Sequence, residues 1–283
     1  METCEAAIAT AAEAYKTWRL VPIAKRMTYI HKIRECMIRD LEKLAQGIAL
    51  DQAKHISEAR GEVQRVIEIV EMACSIPALI QGETLDQIAG SITGKVTKQS
   101  LGVFGGVAPF NFPALVFGWF IPFAIGTGNT FIYKPSTPVA LLHAAHVPKS
   151  SWKSACPAAS STSSTAAATS PARGMKIPAS PACASSGSTP TPKRWPKVRQ
   201  RRQALHAARR REKHACGHGR RRHRRFHRKL HHSCYGSAGQ RCLAGSIVAI
   251  VPELYDTVLE RMIEAAKKVK VGDALDPDVY MGP

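Results

Sequence analysis

Apolar residues over the first seventy-odd positions recur in steps of three and four, the spacing of one helix face. Residues 2–17 carry Ala6, Ile8, Ala11, Ala14 and Tyr15 on one side. After Pro22, the positions Ile23, Met27, Ile30, Ile33, Met37, Leu41, Leu44 and Ile48 keep the rhythm and predict one long helix to about residue 50. A third helix is predicted over residues 57–74, with Val63, Val66, Ile67 and Val70 inward and Pro77 ending it. The period then changes. Residues 91–100 alternate like one arm of a hairpin. Residues 102–109 read as a glycine-rich buried strand, 112–127 as an apolar helix and 129–133 as the next strand. Strand, helix, strand in that order is a Rossmann-type unit of a parallel sheet, which sets the fold class as α/β. Near the other end, Ile247, Val248, Ile250 and Val251 predict a strand. Residues 252–269 then read as an amphipathic helix opened by Pro252 and closed by lysines.

Between these patterned regions the character changes at about Pro148. An Ala/Ser/Pro-rich run is followed by an almost purely basic one. Residues 149–230 hold 21 of the 40 Lys+Arg and a single acid, Glu212, of the 21 Asp+Glu. The net charge of +19 therefore belongs to this segment, and the remainder is near neutral. A whole-protein reading as a nucleic-acid binder is not supported by that distribution, and nucleic acid is not expected as a partner. The segment admits three ordinary readings. It could be a disordered basic linker, or a nucleic-acid arm without aromatic stacking residues. It could also be a zinc site from Cys216, His218, His223 and His227, although their spacing lacks paired ligand halves. A fourth reading accounts for more. If the arginines are CGN codons, reading residues 208–224 from the second codon base permits L-G-G-A-K-N, then V-V-M, then A-D-A-D-I-D. Residues 205–229 are therefore read as a frame-shifted translation, with the normal frame back by about His232.

The eight cysteines show no paired spacing, so a reducing compartment is expected: cytoplasm, or mitochondrial matrix in a eukaryote. The N-terminus has no apolar signal core. Residues 112–128 are apolar but short, and are interrupted by Pro113, Gly118, Pro122 and Gly126, so no membrane span is expected.

Three polar residues stand where chemistry could use them. Cys242 follows the small-residue turn YGSAGQ and neighbours Arg241; a thiol so placed can present a thiolate, although a lone cysteine before a strand also suits a core. Asn111 sits at a strand-to-helix turn, where its carboxamide can face a developing oxyanion or simply cap the helix. Lys134 follows a strand and precedes Pro135, at the carboxyl end where α/β sheets place ligands. Gly102, Gly105 and Gly106 do not make a G-x-G-x-x-G dinucleotide motif.

Taken together, PFNFP (109–113), KPS (134–136) and GQRC (239–242), in this order, resemble the aldehyde dehydrogenase superfamily. The run EARGEVQRVIEIVE (58–71) is similar to its methylmalonate-semialdehyde dehydrogenase branch. The resemblance implies an aldehyde-dehydrogenase-like fold with Cys242 as nucleophile and Asn111 as oxyanion donor. It implies NAD binding by Ala108, Phe110, Lys134, Ser136 and, through the G-S-T-P run at 187–190, Ser188. It implies Arg65 and Arg241 on a substrate carboxylate, a small semialdehyde as substrate, coenzyme A as acyl acceptor, no metal, and a homo-oligomer. The printed sequence lacks the E-L-G-G glutamate that serves hydrolytic relatives as general base. The expected layout is an NAD-binding domain over 1–147, an aberrant segment over 148–231, and the start of a catalytic domain over 232–283, incomplete as it stands. Residues 150–184 and 193–229 are expected to lack a packed core and to be irregular, or helical without burial, and this chain to have little activity.

Overall fold

The computed structural model describes residues 2–136, 139, 182–187, 204–209, 214–217, 223–245 and 247–282. Helices α1 (Glu2–Trp18), α2 (Ile23–Arg39), α3 (Leu41–Gln52) and α4 (Ile56–Ala73) open the chain, followed by a single turn, α5 (Ile76–Leu79). The long second helix read from the sequence is thus two helices. Asp40 breaks it at φ −99° and ψ 15°, ending α2 and starting α3. Aspartate is a poor helix former, and Arg39 holds its carboxylate at 2.6 Å. The break divides one apolar stripe between two cores. Met27, Ile30 and Ile33 pack with Trp18, Val66 and Val70, whereas Leu44, Ile48 and Ala49 pack with Ile56, Val63 and Ile67.

Strand β1 (Glu83–Ala89) pairs antiparallel with β2 (Ile92–Val96), completing the hairpin whose second arm the alternation marked. Both faces are open to solvent: Leu85, Ile88, Ile92 and Val96 are all more than half exposed. Next come β3 (Val103–Val107), α6 (Pro113–Gly126) and β4 (Thr130–Lys134), with the two strands parallel from Val103 opposite Thr130 to Val107 opposite Lys134. This is the strand–helix–strand unit expected. Helix α6 is apolar nearly all round, and Val116, Phe117, Ile121 and Ile125 all pack in the first core. Gly118 lets α4 come close, since a Cβ there would lie 2.9 Å from Val66 Cγ1. Buried polar groups are satisfied across elements: Trp18 Nε1 donates to the Ile125 carbonyl (3.0 Å) and Thr130 Oγ1 to the Ala11 carbonyl (2.9 Å).

The expectation that the middle segment is irregular or helical needs correction, because it contributes paired strands. β5 (Ala182–Gly187) lies parallel to β3, and β6 (Ala204–Arg209) parallel to β5, giving the order β4-β3-β5-β6. β7 (His214–Gly217) runs parallel to β8 (Ile247–Ile250). Helix α7 (His223–Tyr235) follows, with Leu230 buried. A ladder is held by main-chain N–H and C=O groups, which every non-proline residue supplies, so a poor apolar content does not forbid strand pairing. Ser188 and residues 140–181 lie outside the described residues. At the far end, Pro252 opens a short 3₁₀ turn (Pro252–Leu254), and α8 (Tyr255–Lys267) starts only after it. The closing loop packs back on the N-terminal helices: Ile56 N donates to the Ala274 carbonyl at 2.9 Å. Among the described residues no helix is long and apolar enough to cross a membrane.

Tyr133 on β4 gives a measurable consequence of this packing. Its ring is buried and its hydroxyl donates to the Pro113 carbonyl at 3.0 Å, pinning the start of α6 to the sheet. Burial, with the Glu62 charge second, holds this phenol protonated well above the usual tyrosine range. The folded state therefore keeps a proton that an unfolded chain releases above about pH 10. Sign follows directly: stability from this group is complete below pH 10 and is lost as pH rises beyond it, by about 1.4 kcal/mol per unit. Tyr133→Phe is expected to cost about 1 kcal/mol at pH 7 for the lost hydrogen bond, and the gap should close and reverse above pH 10. Urea unfolding of both proteins from pH 7 to 11 checks it; parallel curves would contradict it.

Candidate active site

The turn from β3 into α6 carries Asn111, Phe112 and Pro113. Phe112 is the N-cap and offers no side-chain cap, so the first amides of α6 need another acceptor. Glu62 reaches across from α4 and accepts from Ala114 N (2.9 Å) and Leu115 N (3.0 Å) through Oε1. A carboxylate is electrostatically favoured at a helix N-terminus. Its other oxygen is 2.6 Å from Lys54 Nζ, which also donates to the Asn111 carbonyl at 2.8 Å and lies 4.1 Å above the Phe112 ring. The Lys54 and Glu62 side chains are 1% and 0% exposed. Sequence reasoning missed both. A signal was present in Glu62, which sits between Ala59 and Val66 on the buried stripe of α4.

Cys242 is presented by a strained turn. Ser237 (φ 51°), Ala238 (φ 53°) and Gly239 (φ 68°) are three successive left-handed residues. Left-handed backbone at a non-glycine residue costs about 1–2 kcal/mol. The turn brings Gln240 and Cys242 to Asn111 across 131 positions of sequence: Asn111 Nδ2 donates to the Gln240 carbonyl at 2.6 Å and lies 3.9 Å from Cys242 Sγ. A carboxamide nitrogen has two donors, so one can fix its orientation while the other faces the sulfur side. The thiol itself is exposed.

Arg241 ties the same loop to α4. Its Nη2 donates to Glu58 Oε1 at 2.5 Å, and its Nη1 is 3.1 Å from His232 Nε2. The guanidinium lies against Gly236, where a Cβ would sit 2.9 Å away. Arg65 is elsewhere engaged, pairing with Glu68 at 2.7 Å on the exposed side of α4. Arg241 and Leu243, the chain neighbours of Cys242, line an open cavity of about 660 Å³ together with Arg228, Lys229, His232 and Tyr280, while Cys242 itself is not in its lining.

Around the carboxyl ends of β3 and β4, Ala108 is buried and donates its N–H to the Lys134 carbonyl at 3.0 Å. Phe110 is exposed, and Ser136 is half-buried. The Lys134 ammonium folds onto the Pro135 carbonyl (3.1 Å), and burial holds its pKa below the usual lysine value. Asn111 and Cys242 are thus brought together with Arg241 alongside. Ala108, Phe110, Lys134 and Ser136 group at the strand ends. Among the described residues no cluster of His, Cys, Asp and Glu is placed to hold a metal ion.

Comparison with known proteins identifies the family and the fold. The sequence model described as "Aldehyde dehydrogenase family" matches residues 1–159 and 224–283. The malonate-semialdehyde dehydrogenase 2 of Oceanobacillus iheyensis is 35% identical over 290 residues, covering 98% of this chain and 57% of that protein. The malonate-semialdehyde dehydrogenase 1 of Geobacillus thermodenitrificans is 33% identical over 289 residues, covering 100% of this chain and 58% of the relative. This chain therefore spans somewhat more than half the length of these relatives. The solved methylmalonate-semialdehyde dehydrogenase of Oceanimonas doudoroffii superposes with a TM-score of 0.83 at 28% identity, over all of this chain and 58% of that one. The NAD+ complex of an aldehyde dehydrogenase from Bacillus cereus shares the fold, with a TM-score of 0.87 at 23% identity over 99% of this chain and 58% of that one. From its matched motif regions and its fold, the chain belongs to the aldehyde dehydrogenase family.

Proposed function

We propose that this chain carries the nucleophile and oxyanion donor of an NAD-dependent, CoA-acylating dehydrogenase of a small carboxylate-bearing semialdehyde, malonate or methylmalonate semialdehyde. The observation that carries this is the Asn111 carboxamide at 3.9 Å from the Cys242 sulfur. The names of the relatives support the substrate class. Cys242 as thiolate attacks the aldehyde carbon, and the oxygen that gains the electron pair is met by Asn111 Nδ2 and the Cys242 N–H. The residues at the strand ends fit a dinucleotide: Lys134 has a partly desolvated ammonium that donates to the Pro135 carbonyl, and Ser136 offers a hydroxyl close by in the chain. Glu62 already occupies the first amides of α6, so a diphosphate has no place there, which suits the missing glycine motif. NAD, when bound, supplies the hydride acceptor. Ala108, Phe110, Lys134, Ser136 and Ser188 are assigned to holding it. The acyl group then passes from Cys242 to the thiol of coenzyme A, the Cys242 S–C bond breaking to return the thiolate. We assign the substrate carboxylate to Arg241 ahead of Arg65, because Arg241 adjoins the nucleophile in the chain and lines an open cavity, whereas Arg65 pairs with Glu68 on the exposed side of α4. A homo-oligomer in a reducing compartment completes the reading.

Asn111→Ala is expected to slow the chemical step of the full-length, frame-restored enzyme by about 10²–10³ while leaving NAD binding nearly intact. Lys134→Ala should do the reverse. Stopped-flow single turnover and NAD titration separate the two; an Asn111→Ala enzyme with an unchanged chemical step would sink the assignment. For the chain as printed, little turnover is expected. The family match leaves out residues 160–223, which supports the frame-shifted reading of 205–229 over 205–223, and it resumes at 224, which moves the return of the normal frame to before His232. Coding DNA with AGA or AGG at these arginines would remove that reading.

A further inference from the structure

The buried pair behind Asn111 is used by nothing in the reaction, yet it touches the oxyanion donor's own backbone. We propose that Lys54 and Glu62 are positioning residues for the Asn111 carboxamide, an inference that rests on the catalytic reading of Asn111 above. Two contacts define the device. Glu62 fixes the start of α6 by holding the Ala114 and Leu115 amides. Lys54, held by Glu62, fixes the Asn111 carbonyl at 2.8 Å and covers the Phe112 ring. Asn111 lies between these anchors and the Gln240 carbonyl, so its Cα and its amide nitrogen are each constrained. Stability alone does not account for such a pair. Two charges withdrawn from water are repaid poorly, and an apolar pair of similar volume often serves folding equally well. What an apolar pair cannot do is hold a carbonyl in one place. Misplacing a catalytic group by about 1 Å can cost about 10²-fold in rate, so a rigid mount for Asn111 has a chemical consequence.

The test needs no cofactor and no turnover. Cys242 adds to an aldehyde to give a hemithioacetal: the S–C bond forms, the carbonyl π pair moves to oxygen, and the thiol proton ends on that oxygen by way of solvent. Nothing is oxidised or reduced. The adduct oxygen occupies the place of the oxyanion, so Asn111 should stabilise it. Incubate the 283-residue chain with malonate semialdehyde, add iodoacetamide, and follow alkylation of the Cys242 peptide by mass spectrometry. Asn111→Ala is expected to need about five- to tenfold more aldehyde for equal protection, the value of one hydrogen bond. Lys54→Met is expected to show a similar loss. So is Lys54→Met/Glu62→Gln, which leaves no lone buried charge, keeps an acceptor for the α6 amides and serves if the single variant does not fold. In an Asn111→Ala background, neither should add a further loss. Full protection in Lys54→Met/Glu62→Gln alongside lost protection in Asn111→Ala overturns the inference and leaves the catalytic reading intact. A further loss in the Asn111→Ala background shows that the pair acts only through the fold, and overturns it too. No aldehyde protection of Cys242 in the unmutated chain overturns both.

Discussion

Cys242→Ala is expected to abolish acyl-CoA formation in the full-length enzyme, with a rate loss on the order of 10⁶, the scale seen when a covalent nucleophile is removed. The argument is one of competition among thiols. Of Cys36, Cys74, Cys234 and Cys242, none of which is in a disulfide, Cys242 is the exposed one. Burial raises the pKa of Cys74, and likewise that of Cys234, which reduces their thiolate at neutral pH. Asn111 stands at Cys242. The expected signature is an acyl adduct on the Cys242 peptide after a single turnover with NAD and semialdehyde, lost in Cys242→Ala and kept in Cys36→Ala. Cysteine-independent reduction of NAD, or an adduct on Cys234, would show that the nucleophile has been misplaced.

How much of this was legible depends on what kind of signal each feature leaves. Helix faces repeat, so α1, α4, α6 and the β3–α6–β4 unit were read within a residue or two. The break at Asp40 was not, because the apolar period runs through it without a fault; what changes there is the core being served. The juxtaposition of Asn111 and Cys242 leaves no periodic trace at all across 131 positions. Only the motifs PFNFP and GQRC made it readable. Left-handed backbone at Ser237 and Ala238 was equally hidden, since neither residue type announces it. The middle segment misled in the other direction. Its composition denies side-chain packing, but β5, β6 and β7 are defined by main-chain pairing, which composition does not report. The exposed apolar residues of the β1–β2 hairpin likewise follow no inward-facing rule.

Glu62→Leu is expected to destabilise the fold by about 3–5 kcal/mol, more than any surface change in this chain, because it leaves a charge in the interior without its counter-ion. Lys54 is 1% exposed and would keep the Asn111 carbonyl and the Phe112 ring face but no counter-ion. The Ala114 and Leu115 amides would lose their acceptor at the same time, each worth about 1–3 kcal/mol if left unsatisfied. Leucine recovers part of this, since Glu62 faces the same side of α4 as Val63, Val66 and Val70. For a chain of this size the melting temperature should fall by about 2–4 °C per kcal/mol, or about 10 °C in all. The companion variant decides the cause. Lys54→Met/Glu62→Leu removes the lone ammonium and should regain much of the loss, although the two amides stay unpaired. Thermal and urea unfolding of the three proteins measure this. A single variant within about 0.5 kcal/mol of the parent would mean that water reaches Lys54 and the pair is not sealed. A double variant weaker than the single would mean that the helix-capping bonds, and not the buried charge, carry the energy.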